Sequence, residues 1–543
     1  MDNFFVVLFK FYILLFLFFL FGRAFTIIFS KRYLKISADN INVHGISIFT
    51  LYPILGFFIF GNLLFIINFF TPLKHNGINL IFIFLIFNIF EKVNIIELKK
   101  YFNYSLVSIL LLISSYNINF HYDSGLYHLN NQLWLRESNI ILGFSNIYGA
   151  FGVSSLYEYV SAYLWVDQSL ILLHLINILF ILTFFIFIFN GLLDSKSELI
   201  RSSSFFLLLF SLLDNVGVSG GRNGFFAIQG MGKPDVTIAI LFIIASILIF
   251  ASLFQTSYTR QELFIFSMLS LLIFQLKVSG VTIGFIYLYY VINYFKEKSS
   301  SNKDEIKIFG FFFISFILWI IKTLIHTGCI IFPLTSTCFT RFNWVNKRYI
   351  STIEEISVGY SFSYDFQSSF AEWATNYLSI NSNRIIFVNY AISILILLVA
   401  RQFFFKKNNK VALNLKVIGF IIFNIIFYLR FGPDARYLIG IQLFIIATLS
   451  FSRKINYSIP NFMLVILIVL STALVPRLDS YKSFSVFESV NIFIPQSETK
   501  ETYSRLSPLD GDQCWINIDC SANKEEYLID NTKFLKVVTL KNS

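Results

Sequence analysis

Long apolar runs separated by short polar breaks fill most of this chain. Runs at 4–22, 46–70, 169–190, 235–255, 308–325, 384–400, 414–429 and 459–475 are close to the roughly 20 residues that a helix needs to cross a bilayer. Shorter or interrupted runs lie at 78–90, 104–118, 203–218, 262–276, 279–295 and 437–451. The pattern predicts an all-α, polytopic transmembrane helical bundle of about 14 spans. The run 78–90 is short enough to be re-entrant or a buried short helix. Residues 4–22 read as an uncleaved anchor, because Lys10 interrupts the run and no small-residue cleavage site follows.

The polar breaks alternate in charge. The breaks 23–45, 91–103, 191–202, 256–261, 296–307, 401–413 and 452–458 carry Lys and Arg at more than threefold the density of the others. Dense positive charge marks the cytoplasmic side. The expected topology therefore puts both termini outside a bacterial inner (cytoplasmic) membrane. The large segments 119–168 and 326–383 and a small tail, 476–543, are also outside, with residues 1–475 forming the membrane domain.

Composition agrees. Of 543 residues, 56% are hydrophobic and only 13% charged, against about 25% charged in soluble proteins. That excludes an ordinary soluble enzyme. The net charge of +11 could suggest a polyanion partner, but its placement makes it an orientation signal, and no nucleic acid is expected. No phosphate-binding G-x-x-x-x-G-K-[ST] or dinucleotide G-x-G-x-x-G motif is present. Cys329, Cys338, Cys514 and Cys520 all fall in external segments, where disulfides form. Local pairs, or a link between the 326–383 segment and the tail, are both open.

Candidate chemistry sits in the external breaks. Asp123 opens the segment 119–168, where it can cap a helix starting at Ser124 or serve as a general base or cation-binding carboxylate. His121, Tyr127 and His128 are its near neighbours. The glycine-rich stretch 214–235 brings Arg222, Lys233 and Asp235, as a flexible turn or a phosphate-binding loop. Lys277 marks an outer turn or faces a cavity. In the turn RFGPDARY, Arg430 and Arg436 flank Asp434. They form a local ion pair or an anion clamp facing Asp123.

The stretch YDSGLYHL followed by GFSNIYGAFG, with WIIKTLIHTGCIIFP and CWINIDC further on, resembles a family of uncharacterised bacterial multi-pass membrane proteins. An early external segment that opens on an acid and continues as a surface helix is similar to the GT-C superfamily of glycosyltransferases. That resemblance implies a GT-C-like fold and an essential carboxylate at Asp123. It also implies transfer of a sugar from a polyprenyl-phosphate-linked donor to a glycan or lipid acceptor, with a divalent cation as a possible cofactor. Tyr127, His128, Arg222, Lys233, Asp235, Arg430, Asp434 and Arg436 are the expected substrate-binding residues. The alternatives are a surface-polysaccharide polymerase or ligase, and a transporter or flippase without bond chemistry.

Overall fold

The structure is a computed structural model. It describes residues 2–541 except 154, 166–169, 217–224, 256–257, 298–302, 361, 408–414, 452, 456–458, 491, 496–497, 503–504, 524 and 531–534. The fold is mostly helical. Its only sheets among the described residues are two-stranded antiparallel ribbons.

The first pair, α1 (Phe4–Phe29) and α2 (Tyr52–Asn68), packs backbone against backbone. A Cβ on Gly56 would stand 1.7 Å from Phe18 O, and one on Gly22 2.0 Å from Tyr52 O. Lipid tails are as apolar as leucine, so such close approach through small residues is what draws apolar helices together. The run 78–90 lies in a 3₁₀ helix, Asn76–Phe90, along α1. At about 2.0 Å per residue it reaches about 30 Å, so tighter winding gives a short run a long reach. The run 104–118 is broken. Helix α3 (Ile95–Ser105), the short α4 (Ser108–Leu112) and a 3₁₀ turn (Ile113–Asn117) share it.

Two short helices, α5 (Leu129–Glu137) and α6 (Leu156–Tyr163), follow. Then come α7 (Ile171–Phe189), α8 (Glu198–Val216), α9 (Asp235–Gln255), α10 (Arg260–Leu276), α11 (Ile283–Glu297) and α12 (Lys303–Thr327). The segment 326–383 holds α13 (Lys347–Tyr360) and α14 (Phe370–Ser379). The remaining helices are α15 (Asn381–Phe404), α16 (Leu415–Phe431), α17 (Ala435–Thr448), α18 (Asn461–Ala473) and the short α19 (Leu478–Lys482).

Helices α7 and α9 form the centre and are almost wholly buried. Around them, α1, α11, α12, α15, α16 and α18 expose many large apolar side chains, among them Phe9, Phe313, Leu395, Ile422 and Ile466. Apolar surface this wide is foreign to soluble monomers and suits lipid. Seven helices, counted among the described residues, are long and apolar enough to cross a membrane. Four shorter apolar helices, at Tyr52–Asn68, Asn76–Phe90, Ala435–Thr448 and Asn461–Ala473, accompany them. By this measure the structure shows a membrane-type helical bundle but not the full count of about 14 expected spans.

The polar breaks collect at two opposite ends. One end gathers the dense Lys and Arg. Lys35 pairs with Asp304 at 3.2 Å, Lys100 with Asp194 at 2.8 Å and Arg260 with Glu305 at 2.8 Å. Arg23 departs from its expected place in a solvated break. It is buried in α1, where Nε donates to Asp39 at 3.0 Å and Nη1 and Nη2 donate to the carbonyls of Asn88 and Glu91 at 3.1 and 3.0 Å. The far end joins the other breaks. Leu73 N donates to Leu135 O, Gly143 N to Ile325 O and Leu142 N to Lys536 O, each at 3.0 Å. Asp2–Asn3 pairs with Ser489–Val490, so the beginning of the chain and its tail share this end. Both local cysteine pairs, Cys329–Cys338 and Cys514–Cys520, are disulfides. No disulfide joins the 326–383 segment to the tail.

Candidate functional site

A short parallel bridge organises the far end. Phe120 lies beside Met231, and Met231 N donates to Asn119 O at 3.0 Å. This brings residues 121–123 against 230–233, although more than a hundred positions separate them. After Asp123 the chain winds into a π-turn, Ser124–His128, and then into α5. Ser124 donates its hydroxyl to Met231 O and so anchors that turn.

Asp123 has helical backbone angles, and its side chain makes no cap. The carboxylate faces cations instead. Its Oδ2 stands 3.4 Å from Lys233 Nζ and 3.5 Å from both Arg436 Nη1 and His121 Nδ1. Lys233 Nζ is also 2.6 Å from His121 Nε2. Arg436 is aimed from α17, where Asp434 caps the helix by accepting from Arg436 N at 3.0 Å. Asp434 also pairs with Arg436 Nε at 2.9 Å, so the local ion pair and the clamp toward Asp123 coexist. Asp235, the first residue of α9, is buried and accepts from Lys277 at 2.6 Å. Lys277 does mark a turn, as the C-cap of α10, yet its Nζ also lies 4.2 Å over the Tyr437 ring inside this cluster.

The electrostatics follow from this crowding. Burial pushes the Lys233 pKa down to about 8, and Arg436 adds to the shift. Burial also lowers His121, with Lys233 the next cause. Burial alone would raise Asp123, but Lys233, His121, His128 and Arg436 outweigh it and hold the carboxyl below its ordinary value. Asp123 is ionised at neutral pH, and its contacts are the longest of the cluster's ion pairs.

His128 turns away from the cations toward Glu158 on α6, its buried hydrogen-bond partner. Glu158 also accepts from Gln132 at 2.6 Å, and Gln132 accepts from Trp165 Nε1 at 2.9 Å. Tyr127 packs beside His128, with ring centroids 4.1 Å apart. The sequence reading missed Glu158. It stands three residues after Ser155, the N-cap of α6, where an acid reads as an ordinary helix-start charge. Arg430 does not join the cluster: it is exposed in the last turn of α16 and makes no ion pair among the described residues. Arg222 lies outside the described residues.

The tail packs on the turn that follows Asp123. Trp515, inside the Cys514–Cys520 loop, donates its backbone N–H to Gly125 O at 2.8 Å. Its ring lies flat on Gly125, where a Cβ would stand 2.5 Å from Trp515 Cε2. Gln513 donates to Tyr122 O at 3.0 Å, and Asn130 donates to Asn517 O at 2.5 Å.

Among the described residues no three His, Cys, Asp or Glu side chains converge to hold a metal ion. Lys233 and Arg436 take the positions around Asp123 that a divalent cation would need, so the donor set does not fit the possible cation. The arrangement can instead meet an anion with Lys233 and Arg436 while Asp123 accepts a proton.

No curated protein matches this chain. No solved structure matches it either. A family model does match, over residues 4–443, and the chain therefore belongs to the family described as a domain of unknown function, DUF8201.

Proposed function

We propose that this protein is an integral-membrane glycosyltransferase of GT-C type. It moves a sugar from a polyprenyl-phosphate-linked donor to an extracytoplasmic glycan or lipid acceptor. The observation that carries the reading is the meeting of Asp123 with Lys233 and Arg436 at one mouth of an apolar bundle. Three distant parts of the chain supply these side chains, and the bundle's flanks would admit a lipid-linked substrate.

In this reaction the acceptor hydroxyl gives its proton to Asp123, and its oxygen attacks the anomeric carbon of the donor sugar. The bond from that carbon to the phosphate oxygen breaks, and the lipid phosphate leaves with the electron pair. Arg436 and Lys233 meet the charge that develops on it, which is usually the largest catalytic term. The weak hold on Asp123 has a use here. When a donor phosphate draws Lys233 and Arg436 away, burial acts on Asp123 with only His121 and His128 to oppose it. Its pKa then rises toward the range of an effective base. Lys277 stays on Asp235 and keeps that buried carboxylate neutralised.

The finer topology belongs to the same proposal: about 14 spans, with the cluster and both termini outside. The alternation of the polar breaks between two ends supports it.

The test is transfer of radiolabelled sugar from membrane lipids by purified Asp123→Asn. The expected loss is about 10²–10⁴-fold, with insertion and melting temperature close to wild type, because Lys233 keeps its contact with His121. Full transfer by correctly inserted Asp123→Asn would sink the base assignment. A product extended by a block of sugars rather than one would move the reading to a polymerase or ligase.

A further inference from the structure

Beside the charged cluster lies a cavity of about 460 Å³, within the range of small-molecule sites. The two are back to back on the same ribbon. Asn119 and Gly230 face the cavity, while His121 and Lys233, two and three residues further on, belong to the cluster. The lining differs in kind from the cluster. Asn117, Asn119, Asn215 and Gln229 bring carboxamides, and His174 brings an imidazole held by Ser114 at 3.0 Å. Apolar side chains lie between them. No Asp or Glu lines the cavity among the described residues, and its one cation is Arg477, exposed at the rim.

Asn215 is the decisive residue. It closes the last full turn of α8 and is 5% exposed, yet neither Oδ1 nor Nδ2 has a hydrogen-bond partner among the described residues. A buried carboxamide left unpaired is costly, and most native ones are satisfied. Its place in the wall of a roomy polar cavity turns both groups toward whatever enters there, water or a ligand.

We infer that this cavity is a sugar-binding subsite. Each sugar hydroxyl both donates and accepts, and a carboxamide offers both functions in return. The apolar patches suit the C–H faces of a sugar ring. A polycation would find no carboxylate here, and a polyanion only one exposed arginine. The role of the subsite in transfer, holding a sugar of donor or acceptor next to Asp123, rests on the glycosyltransferase reading. Binding itself does not.

The experiment is saturation-transfer NMR on the purified full chain in detergent, with glucose, galactose, N-acetylglucosamine and glucuronic acid as millimolar probes. At least one sugar is expected to bind wild type. Asn215→Leu should bind it roughly tenfold more weakly or worse, and should melt no lower than wild type, because the Asn215 carboxamide makes no hydrogen bond to another described residue. Arg477→Ala, at an exposed position, should weaken glucuronic acid more than glucose. The proposal is overturned if no probe binds wild type, if Asn215→Leu binds as wild type does, or if Asn215→Leu lowers the melting temperature along with binding. If sugars bind as expected but Asp123→Asn keeps full transfer activity, the subsite stands and the transferase chemistry falls.

Discussion

Lys233 is the residue on which the charge of the cluster turns. Its pKa of about 8 means that it loses its proton well below the ordinary lysine value of 10.5. Two consequences differ in sign. The unfolded chain binds more protons than the folded one between about 8 and 10.5, so Lys233's contribution to stability improves as pH rises through that window. Anion binding runs the other way and weakens as pH rises through about 8, because the cation facing the ligand is discharged. Pyrophosphate affinity measured against pH should therefore drop above about 8 in wild type and stay flat in Lys233→Arg, whose guanidinium keeps its charge. A drop of equal size in Lys233→Arg would assign the titration to another group. Asp123, Lys233, Asp235 and Arg436 were legible in the sequence, because charges beside apolar runs are rare enough to stand out. Arg430 was legible in the same way and yet is exposed, since one step around a helix decides which way a side chain faces. The nearness of His121 to Asp123 was legible, two residues apart, but the pairing of Asp123 with Lys233 was not, because it depends on the bridge between Phe120 and Met231.

At the scale of elements, the Cys514–Cys520 loop acts as a lid over the start of the π-turn that carries Tyr127 and His128. Trp515 lies against Gly125 because glycine leaves its ring a flat seat. Gly125→Ala should therefore unseat the tryptophan. The expected cost is about 1–3 kcal/mol, as for overpacking elsewhere, read as a lower melting temperature and faster proteolysis of the tail. An unchanged tail under limited proteolysis would mean that the loop is held by its other contacts. The sequence placed all four cysteines outside and left three pairings open. Only the folded chain chose the local ones, because the loop 514–520 closes over α5 while Cys329 and Cys338 close on each other beside Phe332.

At the scale of the whole molecule, the two ends of the bundle carry the orientation. An impermeant maleimide should label Glu525→Cys in intact spheroplasts. It should label Lys196→Cys, exposed at the lysine-rich end, only after lysis. The reverse pattern would put the Asp123 cluster in the cytoplasm and remove a lipid-linked donor on the outer face. The sequence by itself determined the class of molecule, a helical membrane-type protein, since that follows from the length of apolar runs and the scarcity of charge within them. Those runs are local quantities, summed along the chain. The tertiary structure alone decided that Asp123, Lys233 and Arg436 meet, that Arg430 does not, that Arg23 is buried, and that a carboxamide-lined cavity stands behind the cluster. Each of these depends on contacts between residues far apart in the chain, and no local pattern of polarity encodes which helix end comes to rest beside which.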